Sequence, residues 1–133
     1  MRAFLTALAG AVLLSAAPAL AKPQLSPEAE LTKLIGNRVA GEPVKCITLS
    51  NVRSVRIIDR TALVYEQGST LYVNRPRGGA EHLNQWDTLV TQPFAGRLCR
   101  PDIVRLYDSG SRFESGWLSL GDFVPYRRVR QAR

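Results

Sequence analysis

An all-β fold, mainly an antiparallel small barrel or sandwich with one short N-terminal helix after a signal peptide, is predicted by three features of this sequence. Beyond Gly41 the chain runs in short β-branched and aromatic stretches separated by turn residues, the pattern of antiparallel strands rather than of strands alternating with helices. Helix-start chemistry occurs once ahead of that region, at Ser26. The opening differs in kind from the rest, because the stretch from Ala3 to Ala21 carries no charge.

That opening reads as an export signal spanning residues 1–21. Arg2 is the basic n-region, Phe4 to Leu14 the apolar h-region, and Ala19, Leu20 and Ala21 the small-any-small cleavage site. Pro18 and the small residues beside the scissile bond argue against a retained anchor helix. The first cysteine is Cys46, too late for a lipid anchor at the new terminus. The expectation is a periplasmic protein that begins at Lys22 and keeps no transmembrane segment.

Residues 22–43 form a helix and a linker. Ser26 offers an N-cap hydroxyl, Pro27 a φ already set for the first turn, and Glu28 and Glu30 acids for the positive end of the dipole. Leu31, Leu34 and Ile35 make one apolar edge before Gly36 and Asn37 stop the helix. So short a helix needs a surface to pack on, and a lid on a sheet is expected.

Residues 44–126 read as a single β domain. Its strands are Val44 to Leu49, Val52 to Ile58, Ala62 to Glu66, Thr70 to Asn74, Trp86 to Thr91, Ile103 to Tyr107 and Phe113 to Leu120. A hairpin turns at Gln67-Gly68 or Gly68-Ser69. Either choice puts Leu63, Tyr65 and Tyr72 on one face and Ala62, Val64, Leu71 and Val73 on the other, since the registers differ by an even step. A ribbon apolar on both faces is central or covered by the helix. A second hairpin turns through Asp108 to Ser111. Phe113 and Trp117 on one face of its last strand, with Leu118 and Leu120 on the other, predict cover on both sides. Trp86, Phe94, Phe123 and Tyr126 are likewise read as core or rim. The basic tail, 127–133, has little to bury it and is expected to fray.

Eighteen Lys and Arg against eleven Asp and Glu give a formal charge of +7. Lysine is confined to Lys22, Lys33 and Lys45, so the excess is arginine, whose planar fork suits carboxylates and phosphates. In an exported chain this points to an anionic envelope component or another envelope protein as partner, with no nucleic acid expected. The candidate anion-binding residues are Arg75 and Arg77, in a loop ending at Gly78 and Gly79, and Arg127, Arg128 and Arg130. A solvated turn is the plainer reading of that loop.

Two cysteines in an oxidising compartment form one disulfide, Cys46 to Cys99. The closed loop is worth about 4 kcal/mol in the chain-entropy model. A redox thiol is disfavoured, there being neither CxxC spacing nor a neighbouring histidine. His82 is the only histidine, which excludes a two-histidine metal site in one chain and leaves one candidate for a general base near neutral pH. Its candidate catalytic partners are Glu81, Asp87 and Asp102, with Arg100 to stabilise charge. The segment Gly78 to Asn84 reads as loop, where such residues are commonly solvated. No metal and no cofactor is implied, and no nucleophile motif or phosphate-binding glycine loop occurs.

The stretches IIDRTALVYEQGSTLYVNR and LNQWDTLVTQPFAGRLCRPDIVRL, with Cys46-Ile47 opening the β region, resemble a proteobacterial family of small exported proteins of unknown function. The similarity covers Val44 to Tyr107, and its most specific element is the late cysteine in LCRPD, Cys99 to Asp102. The resemblance implies a periplasmic location and a shared β frame, and it transfers no catalytic residue. Ser115 to Tyr126 also looks like the closing strand and exit turn of bacterial SH3-like barrels, which bind peptides or cell-wall strands, an analogy of fold alone. The sequence thus predicts a non-enzymatic binding or envelope-associated accessory module. The alternative is a small periplasmic hydrolase centred on His82.

Overall fold

Ser26 starts the helix as its chemistry dictates. In the computed structural model, which describes residues 16–130, its hydroxyl accepts the Ala29 amide at 3.2 Å at the head of α1 (Pro27–Ile35). Arg38 closes the other end, its guanidinium donating to the Ile35 carbonyl at 3.2 Å and to the Ser69 carbonyl at 3.2 Å. A cation on the last carbonyls offsets the negative end of the dipole. The n-region and h-region of the expected signal, Arg2 and Phe4 to Leu14, lie outside the described residues, as do residues 131–133.

Ten strands follow: β1 (Arg38–Ala40), β2 (Cys46–Thr48), β3 (Ser54–Ile58), β4 (Ala62–Gln67), β5 (Thr70–Asn74), β6 (Asp87–Thr91), β7 (Arg97–Cys99), β8 (Ile103–Asp108), β9 (Glu114–Ser119) and β10 (Phe123–Arg128). All their pairings are antiparallel. A large sheet has the order β1-β10-β5-β4-β3, a small sheet β6-β8-β9, and β2 pairs with β7 in a ribbon. The sheets stack as a sandwich and do not close into a barrel.

The hairpin β4-β5 pairs Gln67 with Thr70, so Gly68 and Ser69 make its turn. Its faces divide as the alternation predicts. Leu63 and Tyr65 join Ile57, Leu106, Leu118 and Phe123 in the core between the sheets, while Ala62, Val64, Leu71 and Val73 pack under Leu31 of the helix. Tyr65 meets Phe123 edge to face, ring centroids 5.7 Å apart. The helix is the expected lid.

Three strands depart from the sequence reading. β1 falls in the supposed linker, and β7 and β10 were not anticipated. β10 runs through Arg128, with Arg128 paired to Arg38 and Arg127 to Val39. The β structure therefore passes the expected boundary at 126, and Arg127 and Arg128 are strand residues rather than frayed tail. The anticipated first strand is shorter, with Val44 kept as an isolated bridge to Phe123.

The small sheet corrects a second expectation. Its inner face buries Val104, Leu106 and Leu118, but nothing described covers its outer face, where Val90, Ile103 and Trp117 are exposed. Trp86, Phe94 and Phe113 are exposed too, so of the six aromatic residues expected in core or rim only Phe123 is buried in the core, with Tyr126 half-buried beside the helix.

Cys46 and Cys99 are opposite one another in the β2-β7 ribbon and are disulfide-bonded, their Cα atoms 4.0 Å apart. Ile47 and Leu98, the next pair of the ribbon, point into the main core. The ribbon thereby fastens one end of the sandwich.

Candidate functional site

One side of the sandwich is stitched shut. The Arg77 amide donates to the Ser119 carbonyl at 2.8 Å and the Ser119 amide to the Gly78 carbonyl at 2.9 Å, extending β5 onto β9. Just beyond, the fully buried Asn74 side chain donates to the Gly121 carbonyl at 2.8 Å and accepts the Gly121 amide at 2.9 Å. A buried amide with both functions satisfied fixes the corner between β9 and β10.

The opposite side is open. Among the described residues, β3 and β6 are edge strands of their sheets, each with one edge that no strand pairs. Between them lies a concavity of about 580 Å³, lined by Val55, Arg56 and Ile57 of β3, by Gln85, Asp87 and Leu89, and by Glu30 of the helix. A second concavity of about 410 Å³ adjoins it, lined by Asp59, Arg60, Glu81, His82, Leu83, Asn84 and Trp86. Residues 84–87 divide the two, with Gln85 and Asp87 facing one and Asn84 and Trp86 the other.

This dividing segment is held from several directions. The β3-β4 turn supplies two ties, the Arg60 amide donating to the Leu83 carbonyl at 3.0 Å and the Asp59 carboxylate accepting the Gln85 amide at 2.6 Å. The Asn84 side chain accepts the Trp86 amide at 3.0 Å, and the Trp86 carbonyl accepts the Ser109 hydroxyl. The Trp86 backbone is thus fixed while its side chain remains 72% exposed.

His82 lies in a short 3₁₀ turn (Ala80–His82) within the expected loop and is exposed, while Leu83 beside it is buried in the main core. Two glycines let this turn press against β9. Gly79 has φ +82°, and a Cβ on it would lie 2.2 Å from the Trp117 carbonyl oxygen; a Cβ on Gly116 would lie 2.7 Å from His82 carbons. No other residue fits the first position without moving backbone. His82 Nδ1 is 3.0 Å from the Trp117 carbonyl. A carbonyl only accepts, so Nδ1 carries the hydrogen and the neutral ring has Nε2 as its basic nitrogen.

The expected catalytic partners do not gather around that nitrogen. Glu81 shares the His82 concavity, whereas Asp87 lies in the neighbouring one and accepts the Ser115 hydroxyl at 2.5 Å. Asp102 shapes the LCRPD turn by accepting the Cys99 amide at 2.8 Å, and Arg100 is clamped on Asp122 at 3.0 and 3.1 Å. Among the described residues, no three of His, Cys, Asp and Glu are grouped so as to hold a metal ion.

Nor do the anion-binding candidates converge. Arg75 is engaged by Glu28 of the helix through two hydrogen bonds, at 2.8 and 3.0 Å. Those bonds hold the Glu28 carboxyl below its ordinary range. In the loop that carries Arg77, the Arg77 amide is spent on the Ser119 carbonyl. Asn74 pairs with Phe123 at one end of β10, whereas Arg127 and Arg128 lie at the other end beside β1, separated by about 17 Å of strand. Arg127, Arg128 and Arg130 are exposed and, among the described residues, form no ion pair.

Asp59, Arg60, Asn84 and Gln85 escaped the sequence reading. Asp59 and Arg60 look there like ordinary hairpin-turn residues, and their approach to residues 83–85 is a contact between distant segments. Comparison of the chain with family models, curated proteins and solved structures gives no match.

Proposed function

We propose that this protein is an exported, non-enzymatic binding module of the cell envelope, which takes its partner on the open side of the sandwich. The observation that carries the reading is the pair of adjoining concavities beside two unpartnered strand edges, built on a rigidly tied segment. Both volumes fall within the size range of ligand clefts, about 300–1,000 Å³. A disulfide is at home in an oxidising compartment, and no described helix is long and apolar enough to cross a membrane. Cleavage after Ala21, periplasmic residence and kinship with the proteobacterial exported family belong to this same proposal. An anionic envelope component would meet the exposed Arg127, Arg128 and Arg130 by long-range attraction, screened over about 8 Å at physiological ionic strength.

A hydrolase centred on His82 is the second reading, favoured by the fixed tautomer of that ring within a polar concavity. It has fewer parts to work with, because Asp87, Asp102 and Arg100 are committed elsewhere.

Site-specific photo-crosslinking in cells tests the module. A crosslinker at Gln85 is expected to capture an envelope component, and one at the exposed Lys45, just before β2 at the disulfide end of the sandwich, is not. Equal capture from both positions, or none from Gln85, would remove the open side as the binding face. Intact mass of the same protein is expected to begin at Lys22.

A further inference from the structure

We infer that the smaller concavity is a saccharide-binding site for an uncharged hexopyranose of an envelope glycan, with Trp86 as its stacking platform. This rests on the binding-module reading and names the ligand class of that face.

The chemistry of the lining selects the class. Trp86 belongs to neither hydrophobic cluster, and its indole stands in solvent at the rim of a polar concavity. A free-standing indole beside polar groups suits a ligand with one apolar face and a polar periphery. A pyranose ring is such a ligand, its C–H face lying on the aromatic plane while its hydroxyls project sideways. Around the platform stand acceptors on Asp59 and Glu81, a donor fork on Arg60, and both functions on Asn84. Hydroxyls donate and accept together, so a mixed set satisfies them where a set of one kind would not.

Other ligand classes fit less well. A phosphorylated or acidic ligand would face two carboxylates against one guanidinium. A peptide side chain would need an apolar socket, yet apart from the open face of Trp86 the concavity offers only the edge of Leu83, itself 2% exposed. The site is also built before any ligand arrives. Ties from Asp59 to Gln85, Arg60 to Leu83 and Asn84 to Trp86 fix the lining backbone, which lowers the ordering cost of binding.

The test uses the mature protein carrying Trp117→Phe, so that Trp86 is the remaining tryptophan of two. Tri-N-acetylchitotriose and maltotriose serve as neutral probes and trigalacturonate as the acidic one, read by Trp86 emission and by calorimetry. At least one neutral probe is expected to shift the emission saturably and to bind about tenfold more tightly than the acid. Trp86→Ala is expected to weaken calorimetric binding by about tenfold or more, and Glu81→Gln by a smaller factor. Flat titrations with both neutral probes, or binding unchanged in Trp86→Ala, would overturn the saccharide assignment. Retention on envelope fragments separates the two claims. Wild-type retention that persists in Trp86→Ala and in excess neutral oligosaccharide leaves the module standing without a sugar site, whereas no wild-type retention removes the module itself.

Discussion

The large sheet is covered on both faces, by the small sheet on one side and helix α1 on the other, while the small sheet is covered only on its inner face. Their strands have comparable apolar content: β5 carries Leu71 and Val73 on one face and Tyr72 on the other, and β9 carries Leu118 against Trp117. What differs is the supply of covering elements. The described chain has one α-helix, and its single buried residue, Leu31, is spent on the large sheet. Apolar alternation on both faces therefore marks where a surface could be covered, and only the count of available layers decides which one is. In this molecule the uncovered aromatic and aliphatic groups gather on the small sheet and its flanks, beside the side on which the sandwich is open.

Breaking the end of the sandwich should have the largest effect on both sheets. The Cys46–Cys99 bond ties the ribbon whose Ile47 and Leu98 enter the main core. The double variant Cys46→Ser, Cys99→Ser is expected to lose about 4 kcal/mol, read as a lower urea midpoint. Free-thiol labelling of native, unreduced wild type is expected to give no adduct. Two labelled cysteines would contradict the bridge.

A direct test of unequal cover compares Leu31→Ala with Trp117→Ser. Leu31 is 2% exposed beneath the helix, so its truncation should cost about 3 kcal/mol. Trp117 is 50% exposed on the bare face, and its replacement should stay within about 0.5 kcal/mol. Similar losses at the two positions would mean that something covers the small sheet in solution.

Much of this frame was legible in the sequence because its signals are local. Ser26 with Pro27 marks the helix start, Gly68 the turn, and the alternation through Leu63, Val64 and Tyr65 assigns both faces of the hairpin. β10 was hidden by Pro125, since proline argues against a central strand. Here the Pro125 carbonyl points to the β1 side and accepts the Gly41 amide at 2.7 Å, just past the end of β1. The missing N–H points the same way, where no strand residue needs it. The candidate site was harder still. Trp86 and His82 stood out by type, but Asp59 and Arg60 reach them only because the β3-β4 turn meets residues 83–85, and the partner of His82 is a backbone carbonyl that no side-chain pattern reveals.

A smaller effect is expected inside the doubly covered sheet. The Tyr65 hydroxyl is buried without a hydrogen-bond partner among the described residues, a penalty of about 1–3 kcal/mol. Tyr65→Phe removes it while keeping the ring against Phe123, so stability should rise by about 1 kcal/mol at neutral pH. Burial also pushes the Tyr65 phenol above its ordinary value, about 10. The folded chain then keeps a proton that the unfolded chain loses, so this group's share of stability is complete below about pH 10 and falls as the pH rises further. Urea midpoints measured across that range should fall more steeply for wild type than for Tyr65→Phe. Parallel curves would mean that the hydroxyl finds a partner.

The smallest effect belongs to the pair that joins the helix lid to the end of β5. Arg75 and Glu28 meet at 2.8 Å, but their side chains are 55% and 65% exposed. Solvent screening limits such a pair to about 0.5 kcal/mol, so Arg75→Gln should lower stability by no more than that. The Glu28 carboxyl is held below its ordinary value, first by its hydrogen bonds from Arg75. The contribution is therefore present above about pH 4.3, the ordinary glutamate value, and disappears as the pH falls, because protonation removes the charge that Arg75 engages. Added salt should shrink it as well. The same substitution tests where an anionic partner docks. With Arg75 already committed to Glu28, Arg75→Gln should leave retention on an anionic matrix nearly unchanged. Replacing Arg127, Arg128 and Arg130 together by Gln should move elution to distinctly lower salt. If Arg75→Gln alone produced that shift, the Glu28 pair would have to open on binding, and the loop after β5 would replace the end of β10 as the anionic contact.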